Sequence, residues 1–140
     1  MRSIELIIHL FQRFCWLDEG LQARVHGKGW PEISRAQSMV MINIVSGVTR
    51  PSDIARRMGV SRQAIHSTIA QMIDKGVVTL VDDAEDARHK RLSLTPFGER
   101  MRADAQAAMT ELTAQIAAHV GQERFDMLLD TLAAEWGRPT

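Results

Sequence analysis

The chain alternates between stretches whose apolar positions recur at helical spacing and short breaks rich in Gly and Pro. Over residues 3–26, Ile4, Ile7, Ile8, Phe11, Phe14, Cys15, Leu21 and Val25 follow the 3.6-residue period, while Leu6, Leu10, Trp16 and Leu17 fill the other faces. A helix apolar nearly all round has to be buried on more than one side. The first helix of a small monomer has little to bury it, whereas a helix shared between two subunits does. Gly27, Gly29 and Pro31 make 27–34 a connector. Ser34 suits the N-cap of a buried helix, "RAQSMVMINIV", that Gly47 ends.

A short helix is predicted over 51–58, with Pro51 in its first turn, Asp53 near its positive end and Gly59 as its stop. Ser61 caps the next helix, 62–75, whose stripe of Ala64, Ile65, Ile69, Met72 and Ile73 ends at Lys75 and Gly76. "VVTLV" (77–81) is β-branched and "RLSLT" (91–95) alternates, so the two predict an antiparallel hairpin with 82–90 at its tip. Thr95 and Pro96 then open a helix striped by Met101, Ala105, Met109, Leu112 and Ile116 as far as His119. Beyond Gly121, a last helix over 122–136 places Phe125, Leu128, Leu129, Leu132 and Trp136 on one face. The pattern predicts a mainly α chain with one small β-hairpin.

Composition narrows the chemistry. The 140 residues suit one domain, and the formal net charge is zero. The charge is unevenly spread: residues 50–102 hold ten Lys or Arg against seven Asp or Glu, and residues 103–140 hold two against six. A single cysteine, Cys15, excludes an internal disulfide and a multi-thiolate metal site. The five histidines show no close pairing at ligand spacing, so no metal or other cofactor is expected. Glu5, His9, Gln12 and Arg13 interrupt the first apolar run, which reads as neither a signal peptide nor a membrane span. The expected compartment is a reducing cytoplasm. No nucleophile elbow, phosphate-binding glycine loop or metal-binding helix motif supports an enzyme.

The middle of the chain is more specific. A short helix, a tight turn at Gly59-Val60 and a second helix form a helix-turn-helix, and the hairpin behind it is a wing. With its apolar stripe turned inward, the second helix presents Arg62, Gln63, His66 and Ser67 at its positive end. Arg suits guanine edges and Gln suits adenine edges in a major groove. A solvated helix start looks similar, so the tip decides. In "DDAEDARHKRLSLTPFG" (82–98), Arg88 suits the negative potential of a narrow minor groove, and Asp86 can grip its guanidinium through a bidentate pair. Asp82, Asp83 and Glu85 read as residues that keep the unbound tip solvated.

This stretch resembles the wing signature of the MarR (multiple antibiotic resistance regulator) family, as Asp86-x-Arg88-x-Lys90-x-Leu92-x-Leu94-Thr95-x-x-Gly98. The resemblance extends upstream through "DIARRMGVSRQAIHSTIAQMIDKGVV". It implies a single MarR-like domain over 1–140, with a winged helix-turn-helix lobe at 34–95 and dimerisation helices at 1–30 and 96–140. It implies a homodimer on a pseudo-palindrome of double-stranded DNA, with half-sites roughly 34–36 Å apart. Arg62, Gln63, His66 and Ser67 would face the major groove, and Arg88, set by Asp86, the minor groove. Arg50, Arg57, Lys90 and Arg91 would meet phosphates.

The resemblance further implies a repressor released by a small lipophilic or phenolic effector bound between the two regions. Trp16, His26, Trp30, Arg35 and Met39 are the candidates for that site, although ordinary packing accounts for such residues as well. Cys15 lies in the helix where hydroperoxide-sensing relatives carry a reactive cysteine. Those relatives pair it with tyrosines, and this chain has none. A small buried hydrophobe is the simpler reading of Cys15. Two alternatives stay open: a winged-helix interaction module that does not bind DNA, and a Cys15-based redox sensor.

Overall fold

A computed structural model of the chain describes residues 2–139. Its elements run α1 (Ser3–Gly27), α2 (Arg35–Val45), α3 (Pro51–Met58), α4 (Arg62–Asp74), β1 (Val78–Asp82), β2 (Lys90–Leu94), α5 (Pro96–Val120) and α6 (Gln122–Ala133). This is the mainly helical chain with one small antiparallel hairpin that the periodicity predicts. The outer positions of that reading, 1 and 140, lie outside the described residues.

The core sits in the middle of the chain, where Val40, Ile54, Ile65, Met72, Val77, Val78 and Leu92 are buried against one another. Val25, Ile33 and Met101 extend it toward α1 and α5. A polar clamp reinforces it. Ser34 and Gln37 form a capping box at the start of α2, and the Gln37 side chain, with its residue 2% exposed, also crosses to α4. Gln37 Nε2 donates to Gln71 Oε1 (2.9 Å), and Lys75 Nζ donates to Gln37 Oε1 (2.9 Å).

Both strands lie one residue off the sequence reading, so that the tip is 83–89, and three of the shifted boundaries have a backbone reason. β1 starts at Val78 because Val77 is engaged elsewhere: its N–H donates to Met72 O, and its carbonyl accepts from Thr95 N. β2 stops at Leu94 because Thr95 becomes the N-cap of α5, its hydroxyl accepting from Gly98 N (2.9 Å). α6 ends at Ala133, short of 136: Ala134 is extended, and the Trp136 indole donates back to Thr131 O (2.9 Å). The α4 stripe is also narrower than its periodicity suggests. Ile65, Ile69 and Met72 are buried along one line, while Ala64 and Ile73 on its flanks are exposed.

Gly98 is the tightest point of the lobe. A Cβ there would lie 2.1 Å from the Val77 carbonyl oxygen, so only glycine lets the first turn of α5 press against the start of the wing. At the chain ends the opposite holds. Along the N-terminal half of α1, Ile4, Ile7 and Phe11 are exposed, Phe11 by 64%, and Met127, Leu128, Leu129 and Leu132 are exposed on α6.

Candidate nucleic-acid interface

Gly59 ends α3 in the left-handed region (φ 67°), and Ser61 restarts the chain by accepting from Ala64 N (3.1 Å). That turn leaves Arg62, Gln63, His66 and Ser67 exposed on the first two turns of α4. No acidic residue lies in the first turn, so the helix dipole and Arg62 act in the same sense there. The surface is electropositive and rich in hydrogen-bond donors.

The wing stands beside this helix on backbone contacts. Its strands pair from Val78↔Leu94 to Asp82↔Lys90. The Leu92 side chain enters the core, and its N–H donates to Thr49 O (2.8 Å), which lays the segment entering α3 alongside β2.

At the tip, Arg88 Nε and Nη2 donate to Asp86 Oδ1 and Oδ2, both at 3.1 Å, and Arg88 N also donates to Oδ1 (3.1 Å). The bidentate pair that the sequence suggests is therefore formed, with the Arg88 side chain almost fully exposed. Arg88 holds the Asp86 carboxyl well below the usual range, at about 2, assisted by His89, whose Nδ1 is 3.0 Å from Oδ2. Asp86 in turn raises the Arg88 pKa.

Asp83 does not play the solvating part its sequence position suggests. Its side chain is only 11% exposed and accepts from Arg50 Nε (2.7 Å) and Glu85 N (2.9 Å). The Glu85 N–H first, then Arg50, lower its pKa, and Asp83 raises that of Arg50. Asp82 also has a partner, Lys90, directly across the hairpin. Two of the expected phosphate contacts, Arg50 and Lys90, are thus already engaged with carboxylates. Arg57 is exposed on α3 and Arg91 is half-buried on β2. Arg50, Arg57 and Arg91 share an open groove of about 680 Å³ with Arg56, Asp53 and Asp83. Arg56, ion-paired with Asp53, is absent from the sequence-based candidates, although the pair "RR" at 56–57 points to it.

A second cavity, of about 560 Å³, lies between α1, α2 and α5. Phe14, Leu17, Leu21, Met41, Met101 and Met109 form its apolar walls, and Asp18, Gln22 and Ser38 supply polar atoms. The structure places the five effector candidates outside this lining. Trp30 packs edge-on to Phe97 at 5.0 Å and donates its indole N–H to Asp104 Oδ2 (2.7 Å). His26 is exposed at the end of α1, while Trp16 and Met39 are half-buried. Arg35 approaches the cavity only through Asp18 Oδ2 (3.3 Å) and also reaches Glu19 Oε1 (3.3 Å) and Cys15 Sγ (3.1 Å). Asp18 and Gln22, one helical turn apart on an apolar helix, are the signal that marks this site in the sequence.

No group of three or more His, Cys, Asp or Glu among the described residues is placed to hold a metal ion. No helix among them is long and apolar enough to cross a membrane.

A two-stranded wing behind a helix-turn-helix, flanked by long helices at both ends, defines a winged helix-turn-helix fold. A family model described as "MarR family" matches residues 32–89, from the approach to α2 through the wing tip. The chain is 27% identical over 101 residues to the uncharacterized HTH-type transcriptional regulator YdgG of Bacillus subtilis (strain 168). That match covers 70% of this chain and 66%, just under two thirds, of the relative. CouR from Rhodococcus jostii RHA1, solved bound to p-coumaroyl-CoA, shares the fold with a TM-score of 0.67 at 18% identity, over 94% of this chain and 92% of its own. PcaV from Streptomyces coelicolor, solved with its natural ligand, does so with a TM-score of 0.61 at 19% identity, over 91% and 86%. The family match spans the winged helix-turn-helix lobe, and the relatives and structures the chain is similar to are described as transcriptional regulators.

Proposed function

We propose that the protein is a homodimeric, sequence-specific DNA-binding repressor of the cytoplasm, released by a small lipophilic effector. The observation that carries this reading is the wing tip, where an exposed Arg88 is held by Asp86 through two parallel hydrogen bonds. A guanidinium fixed in direction, with its outer edge free for an anion, suits a narrow minor groove. Arg62, Gln63, His66 and Ser67 then read base edges in the adjacent major groove, and Arg57, Arg91, Arg50 and Lys90 meet phosphates. The last two exchange a carboxylate for a phosphate on binding.

The exposed apolar faces of α1 and α6 favour a two-fold dimer, which sets two recognition helices roughly 34–36 Å apart on a pseudo-palindrome. The cavity between α1, α2 and α5 supports the effector, since it joins the helices that would form the dimer to α2 of the reading lobe. The ligands carried by CouR and PcaV favour the same reading.

The test is a titration of the protein against DNA from upstream of its own gene and against scrambled DNA, at two salt concentrations, with Arg88→Ala in parallel. Specific, salt-sensitive binding that falls roughly 5- to 100-fold in Arg88→Ala is expected. Equal, weak binding of both DNAs by both proteins would instead make this a protein-interaction module. A second reading, redox control, is favoured by the guanidinium of Arg35, whose Nη1 lies 3.1 Å from Cys15 Sγ. Peroxide that releases DNA from wild type and not from Cys15→Ser would establish it.

A further inference from the structure

The charges around the α1–α2–α5 cavity do not balance. Asp18 lines it from α1 and is 7% exposed. Its only ionic partner among the described residues, Arg35, is shared with Glu19: Arg35 Nε reaches Asp18 Oδ2 and Nη2 reaches Glu19 Oε1, both at 3.3 Å. One guanidinium between two carboxylates leaves one negative charge in excess. Arg35 stands outside the lining, so the cavity meets the acid and not its partner. The one basic residue of the lining, Arg102, is half-exposed and directed at Glu99 (3.9 Å).

The hydrogen-bonding capacity is skewed the same way. Gln22 spends both amide protons, one on Asp18 Oδ1 (3.3 Å) and one on Ser38 Oγ (2.9 Å). Each Asp18 oxygen accepts a single hydrogen bond, half of what a carboxylate oxygen takes. This end of the cavity has acceptors to spare and lies beside walls of Phe14, Leu17, Leu21 and Met41. A ligand carboxylate placed there would face a like charge beside apolar walls, whereas an ammonium would gain charge-assisted hydrogen bonds.

We infer that this cavity selects an apolar molecule ending in a protonated amine, with the ammonium against Asp18, over the anionic phenols and acids expected from the family resemblance. The inference rests on the cavity being the effector site. It extends that reading to ligand charge.

The experiment uses three probes of matched shape, phenylbutylamine, phenylbutanol and phenylbutyrate, in calorimetric titrations of the full-length protein, followed by DNA release with each. The amine is expected to bind about tenfold or more tighter than the carboxylate, with the alcohol between them. Asp18→Asn should erase the preference. Arg35→Gln, which leaves Asp18 uncompensated, should enlarge it, and the melting temperature of each variant verifies folding. A carboxylate that binds as tightly as the amine overturns the inference and leaves the cavity as an effector site. No binding by any of the three overturns both. Amine binding with the expected preference but without DNA release upholds the inference and overturns the effector reading.

Discussion

Arg50 Nε lies 2.7 Å from Asp83 Oδ2, joining the residue that caps α3 to the residue that leaves β1. The pair adds a side-chain tie between wing and helix-turn-helix to the backbone bond from Leu92 N to Thr49 O, and no other ion pair among the described residues connects them. Removing either partner is expected to weaken operator binding about two- to fivefold, the scale of a partly exposed ion pair. The double exchange Arg50→Asp with Asp83→Arg should recover part of the loss. Unchanged affinity in Asp83→Ala, measured by fluorescence anisotropy, would show that the pair does not set the wing.

Asp86 is expected to titrate near pH 2 because Arg88 and its backbone N–H stabilise the carboxylate. A depressed folded-state pKa means that the contribution to tip order is complete above the ordinary aspartate value near 4 and is lost as pH falls through about 2. In Arg88→Ala the midpoint should rise toward the ordinary value. Carbon NMR of the Asp86 carboxyl reads it directly. A midpoint that stays put in the variant would assign the shift to another cause.

Gly98→Ala is expected to destabilise the fold by about 3 kcal/mol, since its Cβ would meet the Val77 carbonyl, a backbone atom tied into the hairpin's start. Urea unfolding measures this. Gly27→Ala, where nothing lies within 4 Å of the added carbon, is the control and should change little.

Gln37→Leu removes a side chain that accepts from Ser34 N and Lys75 Nζ and donates to Gln71 Oε1. Losing these hydrogen bonds from a buried side chain is expected to cost about 2 kcal/mol. The double variant with Gln71→Leu should lose less than the sum of the two single variants. Strict additivity would mean that the two amides act independently.

Phe11→Glu in α1 and Leu128→Glu in α6 should each halve the mass seen by light scattering at micromolar concentration. Both side chains are exposed and apolar, and neither variant should alter the secondary structure of the lone chain. A wild type that already scatters as a monomer would refute the dimer.

The order of elements was legible because each is marked by a strong local signal. Ser34, Ser61 and Thr95 cap helices, Gly59 sits at the turn, and β-branched residues fill β1. The Asp86–Arg88 pair was legible too, since two residues of spacing across a tight tip leave few other geometries. Asp83 was not. Its partner is 33 residues away in sequence, and a carboxylate beside Asp82 and Glu85 gives no sign that it turns inward. The cavity was missed for a related reason. Trp16 and Trp30 stand out by size, yet Trp30 is consumed by Asp104 and Phe97, while the lining is made of ordinary Leu, Met and Val. Tertiary spacing decides such sites, and beyond the Asp18–Gln22 step on α1, periodicity along one helix carries no information about it.

The hydrogen bond from Leu92 N to Thr49 O is made by backbone alone. Wing and recognition helix therefore form a caliper whose opening is set by main-chain chemistry, while the tips of its jaws are side chains. Under the proposed function, Arg62, Gln63 and Arg88 could be exchanged for other side chains without changing the distance between helix and wing tip. On that reading, new base preferences are open to this scaffold by substitution at its tips, while the step from helix to wing tip within one chain stays fixed.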